Sequence, residues 1–260
     1  MKIRLRKIWF SVFIALAAML STVHAQPGRE KPNVLFIIVD DLNTWVLQDP
    51  DRYAGEVKAP NLKRLAESSM NFTRAYAAVP HCGPSRQAFL SGMAPWVSGS
   101  YSNPTAGSPI AASVPNLPGY FRQHGYYAAG SGKTFHGISS KGAFDESGRA
   151  GGRDPYYAGD QRPLKGWGSP SEKDWGVSKR PEEEYGEARL AEFMISQIER
   201  KHEKPFFLMA GFFHPHFPWH APKKYFDMYP LEDIVLPEVI DNDLDDVPEQ
   251  GRAKSAVWLH

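Results

Sequence analysis

Two apolar runs decide the fold of this 260-residue chain: Asn33–Val39, which reads NVLFIIV, and Pro205–Phe213, which reads PFFLMAGFF. Continuous runs of this kind are typical of strands that are buried on both faces of a parallel sheet. Polar residues follow each run, Asp40-Asp41 after the first and His214–His216 after the second. Because ligands in open α/β sheets bind beyond the carboxyl ends of the strands, the two polar clusters are candidates for a single site.

Weaker patterns predict the remaining elements. Helices are predicted at Leu62–Met70, within His81–Gly92, at Leu117–His124 and at Glu183–His202. Short strands are predicted at Phe72–Ala78 and Tyr126–Ala129, and loops at Ser98–Pro118 and Lys141–Pro181. In the longest helix an apolar face is expected from Leu190, Phe193, Met194 and Ile198. The second loop is long enough to indicate a functional loop. Strands that alternate with helices predict an α/β fold, with a sheet sandwiched by helices.

The first 25 residues are predicted to be a secretory signal peptide and not part of the fold. Lys2–Lys7 is basic, Ile8–Leu20 is almost wholly apolar, and Val23–Ala25 is suited to cleavage. The apolar run is short for a membrane span of roughly 20 residues. We therefore expect an exported protein, in a periplasmic, extracellular or lysosomal-type compartment, with no stable membrane span after cleavage.

Composition excludes several classes of function. A single cysteine rules out an intrachain disulfide and the spacing of a zinc finger. The net charge of +1 argues against a nucleic-acid binder that relies on bulk charge. With 42% apolar and 23% charged residues, the chain is neither a disordered tail nor a bundle of membrane helices.

Two short segments carry residues suited to chemistry. Asp40 and Asp41 offer adjacent carboxylates that can grip a hard divalent cation, although by themselves they fit a turn or a helix cap better. The segment Cys82–Arg86 reads CGPSR and opens a predicted helix, where backbone N–H groups favour negative charge. Arg86 adds a fixed cation that can bind an anion through two N–H groups. Cys82 is then either a nucleophile of low pKa or a buried structural cysteine.

Several elements in chain order resemble the type I sulfatase family, which has the alkaline-phosphatase-like fold. Cys82–Arg86 with the following Leu-Ser-Gly resembles the family's maturation motif. The other similar elements are Lys31–Asp41 (first strand and metal aspartates), Ala59–Ala66 (next helix), Gly132–His136 (Gly-Lys-x-x-His) and His214–Pro218 (Pro-His-x-Pro). Within the family, Tyr229–Glu232 resembles the iduronate-2-sulfatase group. The resemblance implies a mixed sheet sandwiched by helices, and an enzyme that removes sulfate from a sulfated carbohydrate.

The resemblance also implies a modified cysteine and a calcium ion. In the family, a formylglycine-generating maturation enzyme oxidises the motif cysteine to an aldehyde, whose hydrate carries two hydroxyls on one carbon. One hydroxyl attacks sulfur and the ester oxygen leaves with the alcohol. The other hydroxyl then loses a proton, so that the aldehyde reforms and sulfate is expelled. Calcium, a hard cation, binds carboxylates and polarises a sulfate oxygen.

Matching the motifs residue by residue implies a role for each of seven side chains. The metal set is Asp40, Asp41 and the modified Cys82, and the catalytic set is Cys82, Arg86, Lys133, His136 and His216. In these roles Arg86 holds the hydrate, Lys133 neutralises a sulfate oxygen, His136 accepts the proton of the second hydroxyl, and His216 binds sulfate. Taken singly, Lys133 fits a solvated loop residue and His136 a structural histidine. His214 and His216 alternate at a strand end, so only one of them is expected to enter the site.

Family members are longer than this chain, and their later part supplies further metal ligands. We therefore expect residues 26–260 to be the N-terminal part of a sulfatase catalytic domain, inactive or poorly folded by itself. Two alternatives stay open: a formylglycine-dependent phosphodiester or phosphonate hydrolase, and a secreted non-catalytic remnant in which Cys82 remains a thiol. Aromatic and basic residues in the segment 156–175 are candidates for the lining of the substrate cleft, namely Tyr157, Arg162, Lys165 and Trp167.

Overall fold

The computed structural model describes residues 30–47, 55–103, 116–136, 142–149, 175–236 and 240–256. The chain divides into two units, Met1–Asn33 and Val34–His260, and the first is described only over its last four residues. The predicted signal peptide lies outside the described residues. So do Tyr157, Arg162, Lys165 and Trp167, which were candidates for the substrate cleft.

Four parallel strands form the central sheet, in the order β1-β5-β2-β3. The strands of the chain are β1 (Val34–Val39), β2 (Tyr127–Gly132), β3 (Glu146–Ser147), β4 (Trp175–Ser178), β5 (Phe206–Phe212) and β6 (Trp219–Pro222). Strand β1 runs in register with β5, from Val34 opposite Phe207 to Val39 opposite Phe212. The two apolar runs are therefore neighbours, and both are strands as predicted. Burial on both faces is confirmed for β5 but is wrong for β1, which lies at the edge of the described sheet and has no buried residue.

The stretch that was expected to be irregular, Lys141–Pro181, contains two of these strands. β3 has only two residues and pairs with Ala129 and Gly130 of β2. β4 forms a separate two-stranded parallel sheet with β6. Strands this short show no periodicity in the sequence, and they form only because a neighbouring strand pairs with them. Every strand pair in the described part of the chain is parallel.

The four predicted helices are present with somewhat different bounds, and the described residues also contain three helices that were not predicted. They are α1 (Pro60–Glu67), α2 (Cys82–Ser91), α3 (Pro95–Ser98), α4 (Leu117–Gln123), α5 (Gly186–Glu199), α6 (Lys223–Phe226) and α7 (Glu249–Ala256), with 3-10 turns at Thr44–Val46, Glu182–Glu184 and Leu231–Asp233. Gly92 ends α2 with φ of 70°, a left-handed conformation that glycine adopts without steric cost.

Helices pack on both faces of the central sheet, because successive side chains of a strand point to opposite sides. On one face, Phe207 and Met209 of β5 pack with Leu90 of α2 and Phe121 of α4. On the other face, a second core cluster joins β5 and β2 to α5. Its buried members are Ala129, Leu190, Met194, Leu208 and Ala210. The predicted arrangement of a sheet sandwiched by helices is confirmed.

Two expectations about individual segments are wrong. Phe72–Ala78 forms no strand, and Phe72 and Tyr76 are 73% and 87% exposed. Aromatic and β-branched residues satisfied the strand pattern there, but none of the described strands pairs with the segment. In α5 the buried face includes Gln197 in place of Ile198, which is 45% exposed. Gln197 is retained inside because its side chain hydrogen-bonds to Glu146 of β3 and Tyr127 of β2.

Among the described residues, none of the helices is both long and apolar enough to cross a membrane.

Candidate functional site

The carboxyl ends of β1 and β5 bring the two polar clusters together, as the sequence suggested. The backbone N–H of Asp40 donates to the carbonyl of Phe212 at 3.1 Å, which extends the ladder by one bond. Asp41 then adopts a φ of 57°, in the left-handed region that aspartate tolerates better than most residues. The chain turns there, so Asp40 is buried while its neighbour Asp41 is exposed.

Asp40 lies between two cations that come from different elements. Its Oδ1 accepts a hydrogen bond from Arg86 Nη1 at 2.9 Å, and its Oδ2 pairs with Lys133 Nζ. Burial alone would raise the pKa of Asp40, but the hydrogen bonds and positive charges of Lys133 and Arg86 outweigh it and lower the pKa. Asp40 is therefore ionised at neutral pH despite being only 4% exposed.

Arg86 connects three parts of the site. Its Nη1 also donates to the carbonyl of Cys82 at 3.4 Å, and its Nε donates to the carbonyl of Lys133 at 3.2 Å. Its remaining nitrogen, Nη2, is buried and has no hydrogen-bond partner in the part of the chain that the structure describes. Because an unpaired buried donor costs about 1–3 kcal/mol, this nitrogen is suited to an acceptor oxygen of a ligand.

Cys82 is the first residue of α2 and is half-buried. Its Sγ lies 3.6 Å from Oδ1 of Asn103, which also accepts the backbone N–H of Gly83 at 2.9 Å. Asn103 thus orients the start of α2 and the cysteine. Asn103 was not among the predicted site residues, because it stands alone in a Gly/Ser/Pro-rich loop.

Lys133 follows β2 and is held closely against β5. Its backbone N–H donates to the carbonyl of Gly211 at 2.7 Å, and its Nζ lies 4.7 Å from the centre of the Phe213 ring. A Cβ atom on Gly211 would lie 2.3 Å from the carbonyl carbon of Lys133. Only glycine permits this approach, which directs Lys133 towards Asp40.

His136 lies in the same electrostatic environment. Burial lowers its pKa, and the charges of Lys133 and Arg86 lower it further. The imidazole is therefore neutral at pH 7 and is able to accept a proton.

His216 is the histidine that joins the aspartates. Ligand atoms of Asp40, Asp41 and His216 all lie within 4.8 Å of one another, a spacing that suits a metal ion. His216 Nδ1 lies 2.7 Å from the carbonyl of Phe217, which can only accept, so Nδ1 donates there and Nε2 is the ring nitrogen that faces no partner in this contact. This three-residue group does not include Cys82, whose predicted metal contact stays a prediction.

His214 has a different partner, Glu187 of α5. Its Nδ1 lies 2.8 Å from Glu187 Oε1, and its Nε2 lies 3.1 Å from the carbonyl of Pro218. Although burial raises the pKa of Glu187, the hydrogen bonds and charge of His214 give a net lowering. Glu187 was missed in the sequence, where it is one of many acidic residues between Glu182 and Glu203.

His214 also lines a cleft of about 710 Å³ whose wall includes five aromatic residues. The aromatic residues of the wall are Tyr185, Trp219, Tyr225, Phe226 and Tyr229. Asp40, Asp41 and His216 are not in its lining. This cleft is thus separate in its lining from the charged cluster.

Comparison with known proteins defines the family. The family model described as Sulfatase matches residues 32–243. A sulfatase from Formosa agariphila is 35% identical over 242 residues, which cover 87% of this chain and 47% of that protein. Human iduronate 2-sulfatase is 31% identical over 251 residues, with coverage of 90% and 45%. The phosphonate monoester hydrolase of Agrobacterium radiobacter superposes with a TM-score of 0.60 at 21% identity, over 79% of this chain and 45% of that structure, and shows the same fold.

The chain belongs to the sulfatase family, and the predicted alkaline-phosphatase-like α/β fold is confirmed. It spans about half the length of the curated relatives that it matches.

Proposed function

We propose that this chain carries the anion-binding half of a sulfuric ester hydrolase. The observation that supports this most strongly is the buried group of Asp40, Arg86 and Lys133, placed beside Cys82. Two fixed cations and an unpaired Arg86 Nη2 suit an anion with several acceptor oxygens, such as a sulfate ester.

The residues present fit a hard divalent cation. Asp40 and Asp41 offer carboxylate oxygens, and a ring nitrogen of His216 lies at a compatible spacing. Asp40 also pairs with Arg86 and Lys133, but each carboxylate oxygen has a second lone pair for a metal. Calcium takes about six to eight oxygen ligands, so the two aspartates would hold one side of it. Bound calcium would supply Lewis-acid polarisation of a sulfate oxygen.

Cys82 fits the role of precursor to formylglycine. It stands half-buried at the start of α2, and Arg86 and Asn103 fix its surroundings. A formylglycine at this position would supply the attacking hydroxyl of its hydrate. This requires a formylglycine-generating maturation enzyme as a partner of the chain.

The chain's own residues supply the binding and the proton transfer. Lys133 and Arg86 would neutralise charge on sulfate oxygens, in a site that burial shields from water. His136, kept neutral by burial and by those two cations, would accept the proton of a hydroxyl at position 82. His216, with Nδ1 fixed by Phe217, would place Nε2 at the sulfate or at the metal.

The substrate class that we propose is a sulfated carbohydrate, and we propose export as the location. Similarity to human iduronate 2-sulfatase over 90% of this chain supports the first. The basic and apolar N-terminal stretch supports the second.

The test compares anion binding with turnover. The chain is expressed with a formylglycine-generating enzyme, position 82 is read by mass spectrometry, and aryl sulfate and aryl phosphonate ester are assayed side by side. Binding of inorganic sulfate and of Ca²⁺ is measured by calorimetry in the same preparation. We expect Lys133→Ala to weaken sulfate binding by at least about tenfold, since it removes a buried charge contact. Lys63→Ala, an exposed change on α1, is the matched control.

Each outcome decides between functions. Sulfate binding that depends on Lys133, with a modified position 82, supports the sulfatase. Faster turnover of the phosphonate ester transfers the assignment to the phosphonate hydrolase alternative. An unmodified thiol and sulfate binding that is indifferent to Lys133 would leave a non-catalytic remnant.

A further inference from the structure

The loop that follows β5 is tied to helix α5 by one carboxylate. Glu187 Oε1 accepts two hydrogen bonds from His214, one from the backbone N–H at 3.1 Å and one from Nδ1 at 2.8 Å. A single oxygen thus fixes both the main chain and the ring of His214. The Glu187 side chain is only 20% exposed, which protects these bonds from competition by water.

The ring of His214 continues the connection to the far end of the loop. Its Nε2 hydrogen-bonds to the carbonyl of Pro218 at 3.1 Å. Between these two anchors, the backbone N–H of His216 donates to the carbonyl of Phe213 at 3.1 Å. The segment from Phe213 to Pro218 is therefore held at both ends, with His216 at its centre.

Glu187 is a firm anchor because its helix is packed against the sheet. It lies in the first turn of α5. Further along that helix, Leu190 is fully buried and Met194 is 5% exposed, in the core cluster shared with β2 and β5. The carboxylate is thus fixed relative to β5, the strand that leads into the loop.

We propose that Glu187 is a positioning residue, which acts through His214 to hold His216 beside Asp40 and Asp41. His216 reaches that pair from a loop. Ordering a loop costs conformational entropy, so other contacts must offset that cost. Residues that orient a metal or anion ligand through hydrogen bonds are worth 10- to 100-fold in affinity or activity in known sites. The expected effect on metal or anion binding rests on the proposed function, whereas the positioning of His216 by Glu187 does not.

The experiment reads the position of His216 directly. Carbon–proton NMR of the histidine rings, recorded without metal, reports whether the ring occupies one environment, and His216→Gln assigns its signal. We expect one sharp His216 signal in the unchanged chain and a shifted or broadened signal in Glu187→Ala. Glu192→Gln, an exposed change on the same helix, should leave the signal unchanged.

Calcium titration supplies the second readout. We expect Glu187→Ala to lower Ca²⁺ affinity by 10- to 100-fold, and Glu187→Gln, which keeps an acceptor oxygen, to lower it less. If Glu187→Ala fails to fold, the Gln variant is read by the same two measurements.

An unaltered His216 signal in a folded Glu187→Ala or Glu187→Gln variant would overturn the inference. If the unchanged chain binds no Ca²⁺, the proposed function fails while the NMR comparison still decides the role of Glu187.

Discussion

Leu35 of β1 and Leu208 of β5 are register partners on adjacent parallel strands, yet their surroundings differ completely. Leu208 is fully buried, whereas Leu35 is 43% exposed and Ile37, two residues further along β1, is 47% exposed. Helix α5 packs on β5 and β2, and Leu208 contributes to the core beneath it. The same residue type in two equally apolar runs therefore has a burial set by what packs on the strand.

The carboxyl end of β1 differs from its exposed middle. β1 is the more exposed strand in its middle, but it leads into Asp40, which is only 4% exposed. Arg86 and Lys133 enclose that carboxylate from α2 and from the turn after β2. An edge strand can thus deliver a buried functional side chain when elements from elsewhere in the chain close over its end.

The largest effect is expected at the end of β1. Asp40→Asn removes the negative charge between two largely buried cations, and breaking a buried ion pair costs about 3–5 kcal/mol. Urea denaturation without added metal should show a loss of that order in the free energy of unfolding. The neighbouring Asp41→Asn is the control, since Asp41 is exposed and asparagine also tolerates its left-handed backbone. Equal losses in the two variants would show that enclosure by Arg86 and Lys133 has no energetic weight.

A smaller difference in the free energy of unfolding is expected between substitutions in the middle of β5 and of β1. Leu208→Ala is expected to lower the free energy of unfolding by about 2–5 kcal/mol, because it leaves a cavity in a packed core. Leu35→Ala removes the same atoms from a half-exposed position and should cost about 1 kcal/mol or less. Denaturation of both variants under one set of conditions gives the comparison. A similar cost at the two positions would mean that Leu35 is covered in solution.

The smallest effect concerns β2, on the other side of β5. Burial, followed by a hydrogen bond to Glu146 and its charge, raises the pKa of Tyr127 from 10.0 to about 12. Since the folded value is the higher one, the contribution to stability is complete below pH 10 and is lost as pH rises from 10 to about 12. Phenolate absorbance during a pH titration, compared with Tyr127→Phe, measures this. A Tyr127 signal that titrates at the ordinary value would contradict the contact with Glu146.

Much of this architecture was predictable from local patterns. Two apolar runs identify β1 and β5, the amphipathic period identifies α5, and CGPSR predicts the helix that begins at Cys82. These features are local, because strand and helix periods are written into successive residues. The false strand at Phe72–Ala78 shows the limit, since composition alone supplies no pairing partner.

The sequence predicted a set of site residues but not the contacts that connect them. Asp40, Arg86, Lys133, His136 and His216 were expected from the motifs, and the structure places them around one strand end. Asn103 and Glu187 were not expected, because each acts on a residue far away in sequence through a single hydrogen-bonding side chain.

The two histidines of the loop after β5 show what the sequence predicts and what only the tertiary structure decides. The sequence predicted that only one of His214 and His216 would enter the site, and the motif selected His216. Tertiary structure decided the task of the other: Glu187 of α5 binds His214, while the aspartates after β1 approach His216. The physical reason is that periodicity sets which way a side chain points, but a partner in space depends on how distant segments pack.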